Sequence, residues 1–272
     1  DLMGAALADI SPDSPARRLP RPRLLVDLYS FVINTGHELG EVLTDRAPQF
    51  FDEGDLIADV FKRYLERKRQ ADLMDFDDLL LNWLLLLKRS PEVRRRLAAT
   101  YQHILVDEYQ DTNQAQYELV KLLVGVRAAF TVVGDDDQSI YAWRGANPEN
   151  LRRLKDDFPR LEVVKLEQNY RSAGCILKCA NQLIANNPHV FEKRLWSALG
   201  YGSPLKILGC RDGDHEAERV VSEILHHQFT HGTRHGEYAI LYRGNHQSRS
   251  FEKVLREHGI SYHLSGGTSF FE

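Results

Sequence analysis

The sequence predicts an α/β protein whose first third is helical, and three observations carry that prediction. Residues 24–100 hold apolar side chains at helical spacing with few interruptions. From His103 short aliphatic runs alternate with amphipathic stretches in the order strand, helix, strand, helix, strand, which is the order of a mostly parallel sheet flanked by helices. After Arg171 the alternation starts again, so two α/β domains are expected to meet near residues 160–170.

A short opening helix gives way to SPDSPARRLPRPR, whose prolines and arginines read as a loop. Helices are expected over about 24–43, about 54–68, 76–87 and 91–100. HILVDE is then a short buried strand, NQAQYELVKLLVG a helix closed by Gly125, and AAFTVVGD a second strand. NPENLRRLKDDFP is a helix with Asn147 as its cap and Pro148 at its first position, and LEVVKLEQN is a third strand. The second series runs from helix AGCILKCANQLIANN through strand PLKILGC, helix DHEAERVVSEILHHQF, strand YAILYR and helix SRSFEKVLREHG to strand SYHLSG.

With 272 residues, 43% hydrophobic and 27% charged, the chain is long enough to bury a core and has the composition of a soluble globular protein. A net charge of -4 excludes a wholly basic coat but leaves room for a local nucleic-acid surface. The run LLLNWLLLLK is too short to span a bilayer and follows MDFDD, so it is expected as a buried helix, with no membrane partner. No signal peptide is visible, and Cys175, Cys179 and Cys210 form no CxxC pair, so the cytoplasm is the simpler location. Cys175 and Cys179 share a helix face and read as core thiols rather than a metal site. His226, His227, His231 and His235 have no carboxylate or cysteine pattern beside them and read as a solvated surface.

Three segments carry chemistry. Asp107 and Glu108 follow directly on a strand, where an aspartate can hold Mg²⁺ against nucleotide phosphates and a neighbouring glutamate can orient or deprotonate water. Two solvated acids after an edge strand are the alternative. In VVGDDDQSIYAWRGA, three acids precede Gln138 and then a cluster of Tyr141, Trp143 and Arg144. Rings of this kind stack on bases for about 1–3 kcal/mol each, and arginine meets the backbone phosphates. Trp143, flanked by polar and small residues, is expected to be exposed. In LEQNYRSAG, Tyr170 stands beside Arg171, a cation placed to neutralise charge on a phosphate. A surface arginine at a helix start is the plainer alternative.

Together with the upstream LMDFDDLL, these segments resemble in order and spacing the motifs of the superfamily 1A DNA helicases, the UvrD/PcrA/Rep family. The resemblance covers the chain from Leu73 onward and more loosely the part before it. It implies parts of two RecA-like P-loop NTPase motor domains preceded by a helical insertion subdomain: 1–88 as the insertion, 89–165 as the returning part of the first motor domain, and 166–272 as the opening part of the second. It implies ATP and Mg²⁺ as cofactors and 3'→5' translocation on single-stranded DNA. Duplex DNA with a 3' single-stranded tail is the implied substrate, and replication proteins are possible partners. By resemblance, Asp107 is the magnesium ligand, Glu108 the catalytic base, and Gln138 the sensor of the terminal phosphate. Tyr170 packs on adenine and Arg171 reaches the γ-phosphate. Tyr141, Trp143 and Arg144 hold DNA, joined by Arg243 and Asn245 in the second motor domain, while Asp111 and Thr112 fix the loop after the acids.

Two departures from the family pattern are expected to matter: the sequence stops at GGTSFFE, before the family's last motifs, and its phosphate loop is missing. A phosphate loop of the type GxxxxGK[ST] is absent, and no Gly-Lys dipeptide occurs in the sequence. An internal fragment of a longer motor, inactive alone, is therefore expected. The rival expectation is a catalytically dead module that binds single-stranded DNA or a replication partner.

Overall fold

The computed structural model describes residues 1–10 and 19–265. Part of the expected loop, 11–18, and the end of the last expected strand, from Gly266, lie outside the described residues. The chain divides into two compact units, Asp1–Gly202 and Ser203–Glu272.

The first unit opens with helices α1 (Leu2–Ile10), α2 (Pro22–Thr35), α3 (Leu39–Arg46) and α4 (Gly54–Gln70). Their apolar stripes meet in a core that includes Met3, Leu25, Leu28, Leu43, Ile57 and Val60, all buried. Each such side chain contributes about 1.5–3 kcal/mol by leaving water. The single helix expected over 24–43 is broken at Gly36, which takes φ 73° and donates its N–H to the Val32 carbonyl. That left-handed conformation is open to glycine at little cost and ends a helix. On the outside, Asp9 pairs with Arg63 and Arg67 at 2.7 Å and ties α1 to α4.

Helix α5 (Phe76–Arg89) begins with a capping box between Asp75 and Asp78, and an N-cap of this type stabilises by about 1 kcal/mol. Beneath it the buried Lys68 ammonium lies 2.6 Å from both carboxylates. Burial alone would lower the lysine pKa, but the hydrogen bonds to Asp75 and Asp78 outweigh it and hold the group above its ordinary value. The expectation that α5 is buried holds for one face only. Leu84 and Leu87 are buried, whereas Phe76 is 87% exposed and Leu79, Trp83 and Leu86 are exposed with it. The amphipathic pattern has two apolar faces, and only one finds a partner among the described residues.

Helices α6 (Pro91–Thr100) and α7 (Gln114–Val124) follow, with strand β1 (Ile104–Val106) between them and β2 (Phe130–Val132) after them. The strands are parallel, with Ile104 opposite Phe130 and Val106 opposite Val132, and α7 makes the crossover. Tyr109 and Tyr117 pack with Leu151 and Leu154 of α8 (Glu149–Asp157) against this pair. Helix α8 begins one residue later than expected, with Pro148 at its N-cap, and the Asn147 side chain accepts the Glu149 N–H at 3.0 Å.

The third strand expected over 161–169 is not formed. Only an isolated parallel bridge between Gln168 and Trp196 occurs there, ahead of α9 (Gly174–Ile184). Cys175 is buried on α9 but Cys179 is exposed, so only one of the two expected core thiols lies in a core.

In the second unit, α10 (Gly213–His231) and α11 (Ser248–Glu257) pack through Ala217, Val221, Phe251, Val254 and Leu255. The strands expected over 204–210 and 238–243 make no ladder among the described residues, and Ile207 and Leu241 project almost fully into solvent. Alternating apolar residues fit a pleated surface, but a strand also needs neighbours to take its backbone hydrogen bonds. The architecture is thus α/β, largely helical, with a small parallel sheet. Among the described residues no helix is long and apolar enough to cross a membrane.

Candidate active site

The two strands end side by side, so the loops that follow them converge at the carboxyl edge of the sheet, where ligands of open α/β sheets bind. Asp107 and Glu108 leave β1 exposed. The Asp107 carboxylate accepts the Glu108 N–H at 2.9 Å. Glu108 itself sits at φ 50°, ψ 43°, a left-handed conformation unusual for a residue with a side chain. Such strain costs of order 1–3 kcal/mol and persists where surrounding contacts enforce it.

Backbone bonds flank Glu108, the Tyr109 N–H donating to the Val133 carbonyl at 2.9 Å and the Asp111 N–H to the Glu108 carbonyl at 3.0 Å, and the carboxylate is held by Gln110. Its side chain is buried, donates to Glu108 Oε2 at 2.8 Å and accepts the Asp135 N–H at 3.0 Å, so one amide joins the loop after β1 to the loop after β2. Gly134 makes room for it: a β-carbon there would lie 3.0 Å from Gln110 Oε1 and 3.3 Å from its backbone nitrogen. Asp135 in turn accepts Gln138 Nε2 at 2.7 Å. Glu108, Gln110, Asp135 and Gln138 thereby form one hydrogen-bonded series. Thr112 lies behind it, donating to the Tyr109 carbonyl and held by Asn150.

Asp111 faces the same loop. Its Oδ1 is buried with no hydrogen-bond partner, and burial, helped by nearby Glu108, raises its carboxyl above the usual range. The donors here are all carboxylate oxygens, the ligands a magnesium ion prefers, and the orphaned Asp111 oxygen leaves acceptor capacity unused. Oxygen ligands of this kind are compatible with magnesium chemistry, while among the described residues the carboxylate and imidazole atoms that converge within 4.8 Å are those of Asp136, Asp137 and His189.

The loop continues into a turn, Ala142–Arg144, that displays the aromatic cluster. Trp143 is 58% exposed, as its setting in the sequence led one to expect, and Tyr141 is exposed beside it with ring centroids 6.4 Å apart. The Arg144 guanidinium lies 4.5 Å from the Trp143 ring centre and 5.5 Å from that of Tyr141. The turn is braced by the helical region: Arg46 donates to the Trp143 carbonyl at 3.2 Å and Gly145 packs against Thr35. Asn34 links α2 to Asn113 and to Asp77 at 2.8 Å each.

Tyr170 and Arg171 lie elsewhere in this unit. Tyr170 is 77% exposed, its hydroxyl donating to Gln168, and Arg171 is exposed with its backbone N–H donating to Asn169. Among the described residues no hydrogen bond or ion pair joins either side chain to Asp107 or Glu108. In the second unit Arg243 and Asn245 are both exposed around a short turn, Asn245–Gln247, the Arg243 N–H donating to Gln247.

Sequence reasoning passed over Gln110, Arg46, His189 and Lys193. Lys193 lies 2.5 Å from Asp135 and from Asp136 and 3.0 Å from Asp137, while His189 lies 2.9 Å from Asp137. The polar position of Gln110 between two acids was a usable local signal. The other three act on partners far along the chain and left none.

Residues 35–159 match the model of the UvrD/REP helicase N-terminal domain and residues 164–272 that of the UvrD-like helicase C-terminal domain. The ATP-dependent DNA helicase Rep of Escherichia coli K12 is 56% identical over 248 residues, covering 91% of this chain and 37% of that protein. The ATP-dependent DNA helicase PcrA of Staphylococcus epidermidis is 42% identical over 217 residues, covering 80% of this chain and 30% of that protein. The chain thus spans about a third of the length of the curated relatives it matches. With its acid loop, its exposed tryptophan turn and both halves of its sequence matched in order, the chain belongs to the UvrD/REP helicase family.

Proposed function

We propose that this chain carries the hydrolytic and strand-gripping centre of an ATP-dependent 3'→5' single-stranded DNA translocase and DNA helicase of replication or repair. The observation that carries the reading is the continuous series from Glu108 through Gln110 and Asp135 to Gln138, on a loop that ends in the exposed Trp143. A base on the loop after β1, joined through the Gln110 amide to a phosphate sensor and a stacking ring on the loop after β2, gives hydrolysis and DNA contact a common mechanical part. The names of the relatives, ATP-dependent DNA helicases Rep and PcrA, point the same way.

When bound, ATP with magnesium supplies an electrophilic phosphoryl group. Asp107 holds the metal side of that complex. Glu108, fixed by Gln110, accepts the proton of the attacking water. Gln138 reads the terminal phosphate, Arg171 neutralises charge that develops on it, and Tyr170 packs on the adenine. Tyr141, Trp143 and Arg144 grip the strand by stacking and phosphate contact, and Arg243 and Asn245 add contacts from the second unit. Residues 1–88 form the helical insertion, 89–165 the return of the first motor domain and 166–272 the start of the second. The substrate is duplex DNA with a 3' single-stranded tail, the setting the cytoplasm, and replication proteins are partners. With no GxxxxGK[ST] loop in its sequence, the chain by itself hydrolyses ATP slowly if at all.

The test is Glu108→Gln in the longer gene product that contains this chain. Loss of a general base lowers turnover by about 10³-fold while ATP affinity, read with a fluorescent analogue, stays within about twofold. Turnover equal to wild type would overturn the assignment of the base.

A further inference from the structure

Three consecutive aspartates, Asp135–Asp137, follow β2, and the family reading gives none of them a task. Adjacent carboxylates repel one another and would spread the loop if left alone. Here they converge on one cation. Lys193, from a segment more than fifty residues later, places Nζ 2.5 Å from Asp135 Oδ1, 2.5 Å from Asp136 Oδ1 and 3.0 Å from Asp137 Oδ2. The same segment donates the Val190 N–H to Asp136 Oδ2 at 2.7 Å and sets His189 against Asp137. Burial opposes the charge on Lys193, but the three carboxylates prevail and keep it protonated above its ordinary range.

The division of the Asp135 carboxylate gives this clasp a function. One oxygen faces Lys193, and the other accepts the Gln138 side chain at 2.7 Å. The Asp135 backbone N–H donates to Gln110, which holds Glu108. Rotation of this one carboxylate would therefore release Gln138. Lys193 opposes that rotation together with the Asp137 N–H, which donates to the same oxygen at 3.1 Å.

We propose that Lys193 is a positioning residue for ATP hydrolysis. It helps lock the Asp135 carboxylate so that Gln138 keeps its orientation, and so couples the 189–193 segment, which lies in the region matching the C-terminal domain model, to the loop in the region matching the N-terminal one. The proposal rests on the helicase reading above, and its test separates the two. In the ¹⁵N-labelled chain, Lys193→Met shifts the side-chain amide signals of Gln138 and Gln110, while Lys193→Arg leaves them near their wild-type positions. In the longer gene product, Lys193→Met lowers kcat for DNA-stimulated ATP hydrolysis by on the order of tenfold, as expected for misplaced groups, with KM within about twofold, and Lys193→Arg restores most of it.

If Lys193→Met does not fold by circular dichroism, Asp136→Asn, which removes one charge from the lysine without touching Asp135, shows the same changes at smaller size. Amide signals that stay in place, or a kcat that stays at wild type, would overturn the proposal. A wild-type gene product without ATPase activity would overturn the helicase reading instead, and the amide signals alone would then decide the clasp.

Discussion

The loops after β1 and β2 and the segments around Tyr170 and Arg243 are both exposed and both rich in chemistry, yet they are built in opposite ways. In the first region the reactive side chains are locked to one another through Gln110 and Asp135. In the second, Arg171 and Arg243 are exposed and their recorded hydrogen bonds are made by backbone N–H groups. Groups that must orient water against a phosphate gain from rigid placement before the ligand arrives, because misplacement by about 1 Å can cost on the order of 10²-fold in rate. A cation that answers charge developing in the transition state gains from staying free until the ligand is in place.

The comparison yields tests in descending order of size. Arg171→Ala, on the open side, lowers turnover in the longer gene product by about 10²-fold, the usual effect of deleting one transition-state donor, without changing the thermal midpoint. A lowered midpoint would show that Arg171 is structural. Trp143→Ala weakens single-stranded DNA binding by about 1–3 kcal/mol in fluorescence titrations while ATP affinity holds. Equal loss of both ligands would break the separation between stacking turn and acid loop.

On the locked side, Gly134→Ala pushes a methyl group against Gln110 and is expected to cost about 1–3 kcal/mol in denaturant unfolding. Gly209→Ala in the second unit meets nothing within 4 Å and stays within about 0.5 kcal/mol of wild type. Similar values for the two would remove the contrast.

The smallest effect is one of pH. Hydrogen bonds from Arg67 and then Arg63 lower the Asp9 carboxyl from 3.8 to about 2. Because the folded value is depressed, the stabilisation is present above the unfolded pKa and is lost as the pH falls through the folded one, between about 4 and 2. Asp9→Asn therefore flattens the acid arm of the stability profile in that window. An unchanged arm would show the pair to be idle.

How much was legible in the sequence depended on how far each interaction reaches. Asp107, Glu108 and the exposed Trp143 could be placed because a strand end and a polar loop are local patterns. Lys193 and Arg46 work on partners 57 and 96 to 97 positions away, and no local pattern encodes such pairs, while Gln110 had a local signal for its polar role but none for its partner 25 positions on. The strands read at 161–169, 204–210 and 238–243 failed for a different reason. Their alternation records a preference for a pleated surface, whereas a ladder also needs neighbours, and among the described residues these segments find only the single bridge from Gln168 to Trp196. The helix 24–43 was read too long because Gly36 was counted as a residue of the pattern rather than as its stop.

The account stands most directly on ATP hydrolysis measured with and without single-stranded DNA, on this chain and on the longer gene product side by side. It predicts hydrolysis stimulated by DNA in the longer protein and little in the chain alone. Silence in both, with single-stranded DNA still bound, would contradict it and leave a binding module whose acid loop serves another purpose.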